Sequence, residues 1–113
     1  MAKLAINKKA QDVIILDLKK VSSFCDYFVI MSAQAETHTE ALLQHILANI
    51  KTKFKILPHH TEGIEYKRWV IIDYISVVVH IMLPEVRDFY ALEKVWSKGK
   101  RVSYERKSVK GSK

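Results

Sequence analysis

Two polar residues interrupt the apolar stretch RWVIIDYISVVVHIM, which covers residues 68–82. Asp73 lies in its first half and His80 in its second. An aspartate beside a histidine is part of the arrangement by which hydrolases activate a nucleophile, but that chemistry also needs the nucleophile and donors for an oxyanion. The surrounding sequence supplies neither. We therefore predict that Asp73 and His80 share a hydrogen bond and take no part in catalysis.

Other combinations of reactive residues are no better suited to chemistry. His38 and His45 are seven residues apart, His59 and His60 are adjacent, and no HExxH or CxxC motif accompanies them. A single cysteine, Cys25, lies among apolar residues, where a thiol is usually inert. With three glycines in the chain, glycine-rich phosphate loops are nearly excluded. The sequence predicts no metal, no cofactor and no enzyme activity.

The composition is that of one soluble domain. The chain has 113 residues, 49% of them hydrophobic and 27% charged, which is enough to bury a core without disulfides. No apolar run approaches the ~20 residues of a membrane helix, and the first residues lack the features of a secretory signal. We expect a cytoplasmic protein.

The net charge of +7 is concentrated at one end of the chain. Residues 98–113 contain seven Lys or Arg and one Glu, whereas residues 1–97 carry 12 positive and 11 negative side chains. We therefore expect a folded domain at 1–97 and a basic, disordered tail at 98–113. The tail would either contact RNA phosphates or only keep the protein soluble. The near-neutral domain shows no basic patch interleaved with stacking aromatic residues.

Hydrophobic periodicity predicts the order helix, strand, strand, helix, weak strand, strand, strand, helix. The clearest helix is predicted to begin at Thr37, which forms a capping-box pattern with Glu40 three residues later. Within residues 55–63, KILPHHTEG, we expect a short edge strand broken by Pro58 and then a turn at Gly63, and Pro84 suits the start of the last helix. The main strands are predicted at 12–18, 27–33, 69–74 and 76–83. This is an α/β (mixed α+β) fold, with a mixed sheet of about five strands and helices mainly on one face.

Strand alternation separates the side chains of the quoted stretch into two faces. Trp69 and Asp73 point one way and Tyr74 the other, while His80 shares a face with Met82. Because helices on one side would leave the mixed face open, we expect Asp73 and His80 at a surface.

The last helix, predicted to end near Gly99, has an unusually broad apolar arc. A helix packed on a sheet needs an apolar stripe of ~100° or somewhat more, and this arc covers over half of the circumference. Its aromatic residues are therefore either exposed to a partner or covered by neighbouring helices.

Three segments of the chain resemble the ribosomal silencing factor family, RsfS, also called Iojap. They are KKAQDVIILDLKKVSSFCDYFVIMSA, EGIEYKRWVIIDYISVVVHIM and RDFYALEKVW, and the resemblance covers residues 2 to about 97. It implies a nucleotidyltransferase-like fold without enzyme activity. It also implies binding to the large ribosomal subunit through ribosomal protein L-fourteen, which blocks joining of the small subunit and represses translation. A homodimer is expected on the same grounds.

Two other functions are weighed against this one. Nucleotidyltransferases hold two metal ions with paired carboxylates that follow a Gly-Ser turn. The segment SSFCDYFVI offers one carboxylate, Asp26, and no glycine. An accessory RNA-binding module in ribosome assembly is favoured only by the basic tail.

The chain departs from the family pattern after Asp73-Tyr74. The family usually has Gly-Asp there, and this chain has Ile75-Ser76. Because β-branched residues resist positive φ, we expect a different turn at this point.

The resemblance and the residue types together predict a partner-binding site. Trp, Tyr and Arg most often dominate interface energies, and a carboxylate would accept charge-assisted hydrogen bonds from a basic surface. In the alternative interpretation Trp69 and Trp96 belong to the core. The residues expected to contact ribosomal protein L-fourteen are Trp69, Asp73, Tyr74, His80, Arg87, Tyr90 and Trp96.

Overall fold

A computed structural model describes residues 10–20, 25–92 and 100–103. Trp96, the first predicted helix before residue 10 and most of the predicted tail lie outside these ranges. The elements are β1 (Gln11–Asp17), β2 (Tyr27–Ser32), α1 (Glu36–Phe54), β3 (His60–Glu62), β4 (Trp69–Asp73), β5 (Val77–Met82), α2 (Pro84–Tyr90) and β6 (Lys100–Ser103).

The described strands form one mixed sheet in the order β3-β4-β5-β2-β1-β6. β2 and β5 pair in parallel, and every other neighbouring pair is antiparallel. The predicted α/β class and mixed sheet are thus confirmed. The short edge strand expected within residues 55–63 is β3, which begins after Pro58 and lies at one edge of the sheet.

The sheet has one more strand than expected, because the backbone of Lys100–Ser103 pairs with β1 as β6. These four residues were predicted to belong to the basic tail, and their sequence, KRVS, contains a single apolar residue. Main-chain hydrogen bonds to an edge strand depend little on residue type, so such a strand leaves little signal in the sequence.

α1 packs on one face of the sheet as its periodicity predicts. Leu42, Leu43, Ile46 and Ile50 form its buried side. The predicted capping box is wrong, however: the helix begins at Glu36, and its N-cap, Ala35, makes no side-chain hydrogen bond. Thr37 and Glu40 are therefore already inside the helix, where Thr37 is too late to cap it.

Two apolar clusters lie on opposite faces of the sheet. The first, beneath α1, includes Val29, Val79 and Ile81. The second includes Ile30 and Met82 and lies on the other face. β5 contributes alternate residues to the two clusters, so the predicted alternation is confirmed. The second face is apolar at its centre and not an open polar surface.

Ala91 interrupts the predicted last helix, Leu92 is helical again and residues 93–99 lie outside the described ranges, so the first part of that helix is α2. It ends at Tyr90, and Ala91 adopts a left-handed conformation with φ 47° while its N–H donates to the carbonyl of Arg87. Ala favours helix, so propensity does not explain this end. The turn instead brings Tyr90 against Trp69 and lets Leu92 pack against the second cluster. Tertiary contacts override the helical pattern here.

Gly63 terminates β3 in a conformation that other residues resist, and this generates a stability prediction. Its φ is +80°, and a Cβ placed on it would lie 2.0 Å from the carbonyl oxygen of Trp69. Gly63→Ala should therefore lower the free energy of unfolding by about 3 kcal/mol, measured by urea denaturation. Glu65→Ala, an exposed change in the same turn, serves as control. Equal stability of Gly63→Ala and the parent protein would contradict the close approach.

Candidate protein-binding surface

Trp69 and His80 form a side-chain hydrogen bond between neighbouring strands. The indole Nε1–H of Trp69 donates to Nδ1 of His80 across 3.0 Å. The pairing of β4 with β5 places Trp69 opposite Met82 and Ile71 opposite His80. The two rings are therefore diagonal neighbours on the second face, a distance that long aromatic side chains can reach. The bond fixes the orientation of the indole ring.

His80 lies beneath this surface and not on it. Only 5% of the residue is exposed, and the ring of Phe28 packs edge-on against it with 4.5 Å between centroids. Burial lowers the pKa of His80 to about 4, so the ring is neutral at pH 7. Because Nδ1 accepts from Trp69, the proton lies on Nε2, which has no hydrogen-bond partner among the described residues. The expectation of His80 at an open surface is wrong, because the face around it is apolar.

The predicted hydrogen bond between Asp73 and His80 is wrong. Asp73 lies opposite Val78, two residues before His80 in the next strand. Its Oδ1 instead accepts from the backbone N–H of Ile75 at 2.7 Å. The partly exposed carboxylate stabilises the turn between β4 and β5, while His80 pairs with Trp69.

The turn after Asp73 is the one that Ile75 was expected to avoid. Ile75 has φ 75°, and the N–H of Ser76 donates to the carbonyl of Tyr74 at 2.9 Å. A hydrogen bond between residues i and i+2 around a positive φ defines a strained γ-turn. Surrounding bonds enforce it: Tyr74 N–H donates to Val77, and the Ser76 carbonyl accepts from the N–H of Asp26. These bonds override the preference of a β-branched residue.

Tyr74 faces away from Asp73, as alternation predicts. It packs against the first cluster, and burial raises the pKa of its hydroxyl. That hydroxyl has no hydrogen-bond partner within the described part of the chain. Tyr74 therefore belongs to the core side of the sheet, and its side chain lies away from the other site residues.

Arg87 is a buried link between α2 and the sheet. Its Nη1 donates to Oγ of Ser32 at 2.9 Å, and the residue is buried. Ser32 ends β2, so the bond attaches the short helix α2 to the sheet. Arg87 was expected at the interface; in this structure it is buried and holds α2 against the sheet.

Three aromatic side chains form a partly exposed row on the second face, which we call the aromatic surface: Trp69, Phe89 and Tyr90. The ring of Tyr90 lies 4.7 Å from that of Trp69 between centroids, and Phe89 packs edge-on against Tyr90 at 5.0 Å. Tyr90 is 50% exposed and Phe89 81%. Phe89 was missing from the predicted site, although the broad apolar arc of the last helix indicated it.

The aromatic surface has the character of a binding site. Large aromatic side chains that remain exposed and are held by neighbours are typical of interface hot spots. The described residues contain no group of three or more His, Cys, Asp or Glu arranged for a metal ion. Within the same ranges, no helix is long and apolar enough to span a membrane.

Sequence comparison assigns the chain to a family of ribosomal regulators. The model of the family described as "Ribosomal silencing factor during starvation", RsfS, matches residues 1–113. The chain therefore belongs to the ribosomal silencing factor family, as the three quoted segments indicate.

Individual relatives agree with this assignment. The chain is 35% identical to ribosomal silencing factor RsfS of Halalkalibacterium halodurans, over 93% of this chain and 92% of that protein. It is 31% identical to mouse "Mitochondrial assembly of ribosomal large subunit protein 1", over 86% of this chain but 43% of the mouse protein. A crystal structure of a Chromobacterium violaceum protein superposes with a TM-score of 0.79, at 30% identity, covering 96% of this chain and 92% of that one.

The buried His80 predicts a dependence of stability on pH. Its pKa is about 4 in the folded protein, against 6.5 for a histidine in the unfolded chain, so protonation favours the unfolded chain. The contribution is complete above pH 6.5 and is lost as the pH falls to about 4, by about 3 kcal/mol. Urea denaturation between pH 7.5 and 4 measures it. His80→Gln, which keeps an acceptor for Trp69 but does not titrate, should show a clearly flatter profile. Identical pH profiles for the parent protein and His80→Gln would contradict the lowered pKa of His80.

The strained backbone at Ile75 predicts a substitution that increases stability. Its side chain is 61% exposed and its backbone is strained, so Ile75→Gly should relieve strain without opening a cavity. We expect an increase in stability of about 1 kcal/mol, measured by thermal or urea denaturation. Ile75→Ala keeps a Cβ and should gain clearly less. A lower stability of Ile75→Gly would show that the isoleucine side chain makes a contact worth more than the strain.

Proposed function

We propose that the protein binds the large ribosomal subunit through ribosomal protein L-fourteen and so blocks joining of the small subunit, repressing translation in the cytoplasm. Membership of the RsfS family supports the ribosomal role. The observation that carries the binding surface is the aromatic row of Trp69, Phe89 and Tyr90, which is exposed and held in place from below. Blocking requires no chemical step, because bulk on the intersubunit face is sufficient.

The charges around the aromatic surface favour a basic partner. Glu85 and Asp88 are exposed on α2 and precede Phe89 by four and one residues. Helix positions three and four apart are neighbours, so Glu85 lies beside both Asp88 and Phe89. An apolar centre with an acidic rim complements a basic protein surface, and opposite charges at the rim would increase the association rate. Asp73, partly exposed on the same face, adds a further carboxylate.

Buried residues give the surface its rigidity. The His80 hydrogen bond holds the Trp69 ring, and the Arg87 bond to Ser32 holds α2. A partner that binds pre-arranged side chains loses less conformational entropy on association. Of the seven residues predicted from sequence, we therefore propose direct contact for Trp69, Tyr90 and Asp73 and a supporting role for His80 and Arg87.

Phe89 provides the most specific test, because a side chain that is 81% exposed contributes little to folding. Phe89→Ala should weaken binding to large subunits and to purified ribosomal protein L-fourteen at least tenfold, about 1.4 kcal/mol or more. It should restore joining of subunits in a sucrose gradient at protein concentrations where the parent chain blocks it. Thermal stability should not change.

Tyr66→Ala is the matched control, since Tyr66 is an equally exposed aromatic residue in the turn between β3 and β4. It should bind and block like the parent chain. Unchanged joining at saturating parent protein would overturn the blocking mechanism. Equal binding by Phe89→Ala and Tyr66→Ala would place the ribosome contact on another face. If the chain is a homodimer through the aromatic surface, Phe89→Ala would also dissociate it in light scattering.

A further inference from the structure

The C-terminal end of α1 extends beyond the sheet that it covers. α1 has 19 residues, so it is about 28 Å long. The two central strands, β2 and β5, have six residues each and are about 20 Å long. The last residue of α1 that is buried is Ile50. The final turn of α1 therefore extends past the buried part of the helix.

Apolar side chains continue past the point where burial ends. Phe54 follows Ile50 by four residues and so continues the buried stripe of the helix, yet it is 60% exposed. Ile56 and Leu57, just after the helix, are also exposed. An exposed apolar cluster of this kind marks a contact site more often than chance exposure of one side chain does.

Lysines alternate with these apolar residues. Lys51, Lys53 and Lys55 are all exposed, and none forms an ion pair with another described residue. The chain has no Asp or Glu from 41 to 61. The helix dipole favours lysines near a C-terminus, but it does not account for the exposed Phe54 between them.

We propose that residues 51–57, the sequence KTKFKIL, form an RNA-binding surface. Lysine side chains would contact phosphates, and the ring of Phe54 would stack on an unpaired base, which is the usual combination in proteins that bind single-stranded nucleic acid. The total charge of residues 1–97 is near zero and conceals the local excess of lysine in this segment. The inference is independent of binding to ribosomal protein L-fourteen.

The positive charge of residues 51–57 disfavours a second copy of the chain as the molecule that binds this surface. A symmetric dimer through this surface would bring the three lysines of each copy, Lys51, Lys53 and Lys55, close to their equivalents, and like charges across an interface oppose association. A basic protein is disfavoured for the same reason. A polyanion removes the repulsion and also offers base faces to Phe54.

Fluorescence anisotropy with the full chain tests the phosphate contacts. The probe is a labelled unpaired RNA of about 12 nucleotides. The triple variant Lys51→Gln/Lys53→Gln/Lys55→Gln should bind at least tenfold more weakly than the parent chain. The slope of log affinity against log salt should fall by about 2, since each lost phosphate contact removes ~0.7. The control Lys19→Gln/Lys20→Gln/Lys67→Gln removes the same charge elsewhere and leaves the basic tail intact. Equal losses in the two triple variants would overturn the proposal.

Phe54 variants test stacking. Phe54→Ala and Phe54→Leu should each weaken binding about tenfold, and Phe54→Trp should retain it. Parent-like binding by Phe54→Leu would show an apolar contact and overturn the stacking. A dimer in light scattering that Phe54→Ala dissociates would overturn the RNA-binding proposal. Binding to vesicles of anionic phospholipid that depends equally on the three lysines would also overturn it. Phe89→Ala should bind the RNA normally, so failure here leaves the proposed ribosomal contact untouched.

Discussion

The parallel pairing of β2 with β5 is the constraint on which the other parts of the molecule depend. Tyr27 to Ser32 pair in register with Val77 to Met82. Two parallel neighbours cannot be joined by a tight hairpin, because the chain must return to the same end of the sheet. The return is made by α1, which is thereby fixed on one face. The other face is left to α2 and to the aromatic surface.

The second face shows how a polar residue is accommodated within a strand. Met82 and Ile30 are completely buried there, so a charged His80 would be costly among them. Donation from Trp69 satisfies one ring nitrogen, and burial keeps the ring neutral. The remaining cost is the Nε2–H, which has no hydrogen-bond partner among the residues that the structure describes. It follows that His80 serves to hold the Trp69 ring. The centre of this face is apolar, and Trp69 and Tyr90 lie at its margin.

Local pattern predicted most of the fold, and long-range register decided what it could not predict. The strands, α1 and the alternation at Trp69 and His80 follow from side-chain periodicity, which a short window of sequence contains. The partner of Asp73 does not, because it depends on how β4 and β5 align across a turn. Predicting that turn required knowing that the bonds around Ser76 outweigh the strain at Ile75.

The candidate site could be predicted from the sequence less well than the fold, because it depends on which side chains are buried. Residue type placed Trp69 and Tyr90 in one predicted site, and their rings are in contact, but it could not distinguish Arg87, which is buried against Ser32, from an exposed arginine. The end of α2 at Tyr90 places that ring against Trp69, and nothing in the local sequence requires that end. Burial is a property of the assembled chain, whereas residue type is local.

The strand directions separate the two proposed surfaces along the sheet. Trp69 and Met82 pair at one end of the β4–β5 hairpin, next to the aromatic surface. α1 runs antiparallel to β5, so its C-terminal lysines lie toward the other end, where Val77 begins the strand. The length of β5 places about 20 Å between the ends. One small partner would not cover both surfaces. A large assembly in which a basic protein adjoins RNA would engage both at once, and the acidic rim of one surface and the basic character of the other would fix the orientation in which it does so.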